Sequence, residues 1–343
     1  MKNRMPAEWE NPKAILMAYP NRHTDWDYIL PEARSQFDAI INALLDGREF
    51  LWLIADPEDL PPDIKNRIEE NEGRVITDVP YNDTWTRDYG PLTVTDPESR
   101  YLELDFGFNG WGLKFAADKD NLVNYIMALK GYRESALARN CRGFVLEGGS
   151  VESDGRGTIL TTARCLCSPN RNGGLDKPAA EAMLKDYLQA ERVLWLDYGF
   201  LEGDDTDSHV DTLARLAPED TIVYVAPPED AADVHHAELT RMRRQLEGFR
   251  TKDGKPYRLI PLPFPDPIHD EEGNRLPATY ANYLVTGWNL YLPTYGQPEK
   301  DTRAREAVQK AFPEHRIYSV DCRTLIKQHG SLHCSTMQLY RQS

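Results

Sequence analysis

The sequence predicts an α/β chain built from five repeating strand–helix–strand units, and three observations support this. Apolar strand-like runs alternate with amphipathic helical stretches five times, at intervals of roughly 60–85 residues, and such spacing marks internal repetition. There is no Gly-x-Gly-x-x-Gly and no phosphate-loop pattern, so a nucleotide-binding doubly wound sheet has no support. No low-complexity or Gly/Ser/Pro-rich linker divides the 343 residues, so one domain spanning 1–343 is expected. The repeat lies in the pattern of elements, not in residue identity.

The first unit runs from strand Ala14–Tyr19 through a helical stretch Pro31–Leu45 to strand Phe50–Ala55. Within that helix Phe37, Ile40, Ile41, Leu44 and Leu45 recur at the spacing that gathers them on one face. The second unit places strands Pro91–Thr95 and Tyr101–Asp105 before a helix Asp118–Lys130. The third predicts strand Thr158–Cys165, helix Lys177–Leu188 and strand Arg192–Asp197. The fourth predicts Thr221–Ala226, helix Ala231–Glu247 and Tyr257–Pro263. The fifth predicts Asn289–Pro293, a helix Thr302–Ala311 with Asp301 as N-cap, and His315–Val320. A terminal strand, Ser331–Leu339, is entered through Gly330.

Composition narrows the function classes. With 41% apolar and 28% charged residues the chain is ordinary globular protein. No run approaches the ~18 apolar residues of a membrane span, and the start has no apolar signal-like region, so a cytoplasmic protein is expected. A net charge of −15 without a basic cluster repels nucleic acid and concentrates small cations. Five cysteines form no disulfide framework; Cys165 and Cys167, one residue apart, make a poor zinc pattern and are expected on one strand face.

The chemistry-bearing residues cluster at the junctions between units. They are Asn82-Asp83-Thr84-Trp85-Thr86-Arg87-Asp88-Tyr89-Gly90-Pro91, Leu146-Glu147-Gly148-Gly149-Ser150, Asp204–Asp211, and His329-Gly330-Ser331-Leu332-His333-Cys334. Units arranged about an axis would bring these junctions into one pocket. A free cysteine is commonly just a small buried hydrophobe, and Cys334 stands out by its company of carboxylates, glycines and two candidate bases, His209 and His333. If His209-Val210-Asp211 is extended, His209 and Asp211 project from one face, whereas His333 alternates away from Cys334. Arg87 is expected to pair with Asp83 or Asp88, and His235-His236 to lie on the surface. The acidic run from Asp204 lacks the glycine and closing glutamate of a calcium loop, and a zinc hydrolase would need another well-spaced histidine. One thiol, one imidazole and several carboxylates suit a flat guanidinium cation, whose N–H groups match carboxylates in pairs.

Asn82-Asp-x-Trp-x-Arg-Asp-x-Gly-Pro91, Leu146-Glu-Gly-Gly149, Thr206-Asp-x-His-Val-Asp211 and His333-Cys334 together resemble the signature set of agmatine deiminases, among the guanidine-modifying enzymes grouped with bacterial-type peptidylarginine deiminases. The resemblance implies a five-bladed α/β propeller (pentein) with ββαβ-type units around a central active site. It implies Cys334 as nucleophile, His209 as general acid/base, Asp88 and Asp211 as guanidinium-binding carboxylates, and Glu147 as an orienting acid. It also implies Trp85 as the aromatic wall of the pocket, no metal or organic cofactor, and homo-oligomers in many relatives; Asp83, Asp205 and Gly330 join Trp85 as expected substrate-facing residues. Asp205 is the candidate for the distal ammonium of agmatine; for free arginine, Arg171 or Arg323 would have to meet the carboxylate. The run Gln328-His-Gly-Ser-Leu-His-Cys334 departs from the Gly-Gly-Gly-Asn-Ile-His-Cys pattern of many relatives, keeping only Gly330. A metal-dependent hydrolase using Asp204, Asp205, Asp207 and His209, and a non-catalytic guanidine- or polyamine-binding protein, are the competing readings.

Overall fold

In the computed structural model, which describes residues 4–340 apart from 97, 99 and 134–137, the strands form five small sheets. Strands β1 (Ala14–Ala18), β2 (Leu51–Ile54) and β3 (Arg74–Ile76) lie parallel. β4 (Leu92–Thr95), β5 (Tyr101–Gly107) and β6 (Ala138–Val145) make the second sheet. β7 (Val151–Ser153), β8 (Thr158–Thr162) and β9 (Arg192–Leu196) make the third. β10 (Ala214–Ala217), β11 (Thr221–Val225) and β12 (Arg258–Leu262) make the fourth. β13 (Leu284–Val285), β14 (Asn289–Thr294) and β15 (Arg316–Asp321) make the fifth.

The last strand, β16 (Met337–Leu339), returns to the first sheet and pairs antiparallel with β1, Leu16 opposite Met337. Each sheet therefore holds the same arrangement: an antiparallel pair, then a parallel strand reached through a helical crossover. Parallel strands need such crossovers, and here they are the helices Leu30–Asp46, Val123–Leu129, Lys177–Leu188, His236–Gly248 and Pro298–Ala311. The helices cover the sheets, so β1 and β11 are buried along their whole length and read as unbroken apolar runs. In the first helix Phe37, Ile40, Ile41, Leu44 and Leu45 are all buried, as their spacing predicts. Each such side chain contributes roughly 1.5–3 kcal/mol.

Local chemistry corrects four expectations. The helix expected to be capped by Asp301 starts earlier, at Pro298, and Asp301 accepts from the N–H of Gln297 and Tyr295 from inside its first turn. β8 ends at Thr162, whose hydroxyl accepts from Cys165 N and starts a short helix Ala163–Leu166, so Cys165 and Cys167 do not share a strand face. Residues 331–336 are successive turns rather than strand. His235 is buried, held by Asp233 and by the N–H of Glu202.

Candidate active site

The repeated architecture sets where the reactive groups lie. Asp88 precedes β4, Glu147 precedes β7, His209 and Asp211 precede β10, Asn282 precedes β13 and Cys334 precedes β16. Each sheet thus contributes side chains from the segment leading into its antiparallel strand. The convergence is tight enough to require glycine at one point. A Cβ on Gly149 would lie 2.7 Å from His209 Nδ1, 2.9 Å from Asp88 Oδ1 and 3.0 Å from Asp211 Oδ2. At Gly148 it would strike the carbonyl oxygen of Arg87.

Asp88 is fixed by two donors, Trp111 Nε1 to Oδ2 at 2.9 Å and Gly149 N to Oδ1 at 3.0 Å. Trp111 reaches it from a left-handed stretch, Gly110 to Leu113, in which all four residues have positive φ; Asn109 holds that turn by accepting from Gly112 N. His209 does not lie on an extended segment: it precedes the 3-10 turn Val210–Thr212, and that turn carries Asp211 into the same cluster. The imidazole is fully buried between Asp88 Oδ1 at 3.6 Å from Nδ1 and Glu147 Oε2 at 3.6 Å from Nε2, too far for a hydrogen bond on either side. Both Glu147 oxygens accept from Arg171 Nε at 2.9 Å. Cys334 Sγ lies 3.4 Å from Asn282 Oδ1, which also accepts from Cys334 N at 3.3 Å.

These contacts set the protonation states. Burial alone would lower the imidazolium of His209, but the charges of Asp88, Cys165 and Glu147 carry it well above its usual 6.5, so it rests as an acid. Burial, then the nearby carboxylates Asp211 and Asp88, push the Cys334 thiol well above 9.0. Asp88 is raised by burial and by Asp211 and Glu147, with His209 opposing. Burial raises Glu147 as well, yet His209 and Arg171 outweigh it and hold that carboxyl below the ordinary range. With no ligand the site is therefore a neutral thiol facing carboxylates beside a protonated histidine.

A pocket leads down to the thiol, lined by Cys334, Asp88, Trp85, Trp111, Phe115 and, toward its mouth, Asp25, Asp83, Asp205 and His329. No lysine or arginine is among the described residues that line it. Gly330 packs its backbone on the Trp85 indole, where a Cβ would lie 2.4 Å from the ring, so the glycine kept before the thiol makes room for that wall. Burial, with Asp25 and Asp120 nearby, pushes Asp83 up to about 8. Asp205 is also raised by burial, and its carboxylate sits 3.7 Å from His329 Nε2.

The predicted residues thus come together: Cys334, Asp88, Trp85, Asp83, Asp205 and Gly330 line the pocket, and His209, Glu147 and Asp211 cluster around Gly149. Arg171 is fully buried between Glu147 and Asp207, and Arg323 is bound to Asp321, so neither faces the pocket as a carboxylate partner. Arg87 pairs with Glu8 and Gln338, not with Asp83 or Asp88. Asp204 is spent on the Thr206 and Ser208 N–H groups and Asp207 on Lys114 and Arg171. Sequence reasoning missed Asn282, Trp111 and Asp25; position before β13 is the signal that finds Asn282.

Among the described residues, two groups bring metal-type donors close: Glu147, Cys165 and His209, and Glu8, Glu152 and His333, each with ligand atoms within 4.8 Å of one another. In both an arginine already supplies the positive charge, Arg171 on Glu147 and Arg215 on Glu8 and Glu152, so we assign no metal ligand there.

Known proteins share this arrangement along the whole chain. The sequence is 32% identical to the agmatine deiminase of Pseudomonas aeruginosa (strain LESB58), over 98% of this chain and 95% of that protein. Among solved structures, a substrate-bound agmatine deiminase from C. jejuni superposes with a TM-score of 0.89 at 32% identity, covering 99% of this chain and 96% of its own. A structure described provisionally as a peptidyl-arginine deiminase gives 0.92 at 45% identity, covering 99% of both chains. The five-sheet fold is the pentein fold of these deiminases. A family model, the Porphyromonas-type peptidyl-arginine deiminase, matches residues 4–339, and with relatives matching from end to end this chain belongs to that family.

Proposed function

We propose that this protein hydrolyses a guanidinium group and that its substrate is agmatine, converted with water to N-carbamoylputrescine and ammonia. One observation carries the reading: a buried thiol at the foot of a pocket walled by carboxylates and indole rings, one of whose carboxylates, Asp88, also faces the buried imidazole of His209, which makes no hydrogen bond on either nitrogen. The agmatine deiminases among the relatives support it.

In the proposed reaction Asp88 and Asp211 hold the guanidinium nitrogens, each carboxylate matching N–H donors. The incoming cation offsets the negative field that keeps the thiol protonated, so Cys334 loses its proton to solvent as substrate binds. The thiolate adds to the guanidinium carbon. The imidazolium of His209 gives its proton to one nitrogen, the C–N bond breaks, and ammonia leaves a positively charged S-thiouronium on Cys334. Neutral His209 then takes a proton from water, the hydroxide oxygen bonds to the same carbon, the C–S bond breaks to return the thiolate, and the O-protonated urea so formed gives its remaining hydroxyl proton to solvent. Glu147, tied to Arg171, keeps the imidazole oriented. Asp25, Asp83 and Asp205 line the pocket with His329, and no lysine or arginine is among the described lining residues; this suits a distal ammonium on Asp205, whereas the α-carboxylate of free arginine would lack a guanidinium or ammonium partner.

The test measures ammonia release from agmatine, arginine and a peptidylarginine side by side, with and without a chelator. Release from agmatine that survives the chelator and is lost after iodoacetamide is expected. Faster release from arginine or the peptide would overturn the substrate; chelator-sensitive release would overturn the thiol mechanism.

A further inference from the structure

Outside the pocket lining, Asp211 touches a group of charged side chains that the reaction above does not use. His333 Nδ1 lies 2.7 Å from Asp211 Oδ2, and its other nitrogen, Nε2, lies 2.7 Å from Glu8 Oε1. A neutral imidazole has one N–H and would turn a lone pair toward one of these carboxylates; an imidazolium donates to both. The ring is buried, and its frame is rigid. Glu8 also accepts from Arg87 Nη1 at 3.0 Å and Arg215 Nη2 at 2.6 Å. Arg215 Nη2 stands 3.1 Å from His333 Nε2, and Arg215 is anchored on Glu152 and on the carbonyls of Ala281 and Tyr283.

The other oxygen, Asp211 Oδ1, is fully buried without a hydrogen-bond partner. A buried carboxylate oxygen left unpaired forfeits its solvation without return, and a guanidinium would relieve that. We propose that His333, wedged between Glu8 and Asp211, is a positioning residue for the guanidinium reaction: it fixes Asp211 Oδ2 so that Oδ1 meets the substrate cation. This rests on the function proposed above and adds the N-terminal residue Glu8 to its machinery. Electrostatics agree: burial raises Asp211, yet His333, His209 and Arg215 hold it below its usual value. Burial likewise raises Glu8, yet His333, Arg87 and Arg215 hold it well down. The other charges around Asp211 are Asp88, Glu152 and the Cys334 thiol.

The test compares pH profiles of kcat/KM for ammonia release by the wild type, His333→Asn and Glu8→Gln. Asparagine keeps a donor toward Asp211 but cannot reach on to Glu8, and it withdraws the histidine contact that holds Asp211 low, so Asp211 is expected to take up a proton at a higher pH than in the wild type. The acidic limb of His333→Asn is expected to move up by a pH unit or more, so that the ratio of wild type to variant grows about tenfold per pH unit below it and levels off above. Glu8→Gln is expected to move the limb the same way by less, and it decides the question if His333→Asn does not fold. A ratio independent of pH, as a merely structural role would give, overturns the inference. If agmatine is not turned over, the substrate assignment fails, and the profiles are taken on whichever of arginine or peptidylarginine is; a displaced limb there still supports His333.

Discussion

The two sides of Asp211 are built on opposite terms. On the side of Cys334 and Asp88, both nitrogens of His209, Asp211 Oδ1 and Asn282 Nδ2 are buried without hydrogen-bond partners, four of the seven such atoms among the described residues. Behind it, Glu8, Arg87, Glu152, Arg215 and His333 are bound to one another or to backbone carbonyls at nearly every turn. A cluster of unpaired buried groups suits a ligand that pairs them, while the ionic network behind them holds them still. The difference teaches that the pocket floor is tuned for rate and the layer behind it for geometry. Substitutions on the two sides should therefore fail in different assays.

The largest effect belongs to the floor. Cys334→Ser is expected to lower kcat by about 10⁴-fold or more, with an unchanged circular dichroism spectrum and melting temperature; turnover near the wild-type level would remove the sulfur from the chemistry. The opposite pattern belongs to Arg215→Met, which strands the carboxylates of Glu8 and Glu152. Breaking a buried pair costs about 3–5 kcal/mol, so denaturant unfolding should show a loss of that size. Asp88→Asn returns to the floor: losing one preorganised contact is expected to lower kcat/KM by roughly 10²–10³ at nearly unchanged stability.

Asp83 sharpens the comparison through pH. Its carboxyl ionises near 3.8 in the unfolded chain but stays protonated in the fold up to about 8. The unfolded state thus holds fewer protons between those values, and this residue's contribution to stability falls as pH rises through that window. Unfolding measured from pH 4 to 8 should show that decline, and Asp83→Asn should flatten it. The smallest effect is expected at the mouth. Asp205→Asn should raise the KM for agmatine about fivefold, the ~1 kcal/mol of a partly exposed ion pair, with kcat unchanged; an unaltered KM would move the ammonium site elsewhere.

Much of this was legible in the sequence for a physical reason. Strands buried on both faces are long apolar runs, and crossover helices carry a 3.6-residue stripe, so the parallel pair stood out in every unit but the second, whose β6 was missed. Of the antiparallel partners β4 and β16 fell within predicted strands, but β7, β10 and β13 did not: Leu284–Val285 is two residues long and Val151–Ser153 three, too short for any alternation. Without β13 there was no junction to search, and Asn282 stayed hidden although it holds the thiol. His209 and Asp211 were paired for the wrong geometric reason, an extended segment where a tight turn brings them together. His333 was set aside on strand alternation, but residues 331–336 are turns and its ring faces Asp211. Glu8 has no motif around it; only its contacts, 79 to 325 positions along the chain, give it meaning.

The pairing of β16 with β1 ties chemistry to completion of the fold. Residues 337–339 reach across the whole sequence to Ala14–Leu16, and the sulfur sits three positions before them. So distant a contact forms late, because a long loop must close before it returns any energy. If Cys334 is the nucleophile proposed above, a partly folded chain can gather the acid, the imidazole and the indole wall from its other sheets but lacks that sulfur until β16 pairs with β1. Reactivity and closure are one event.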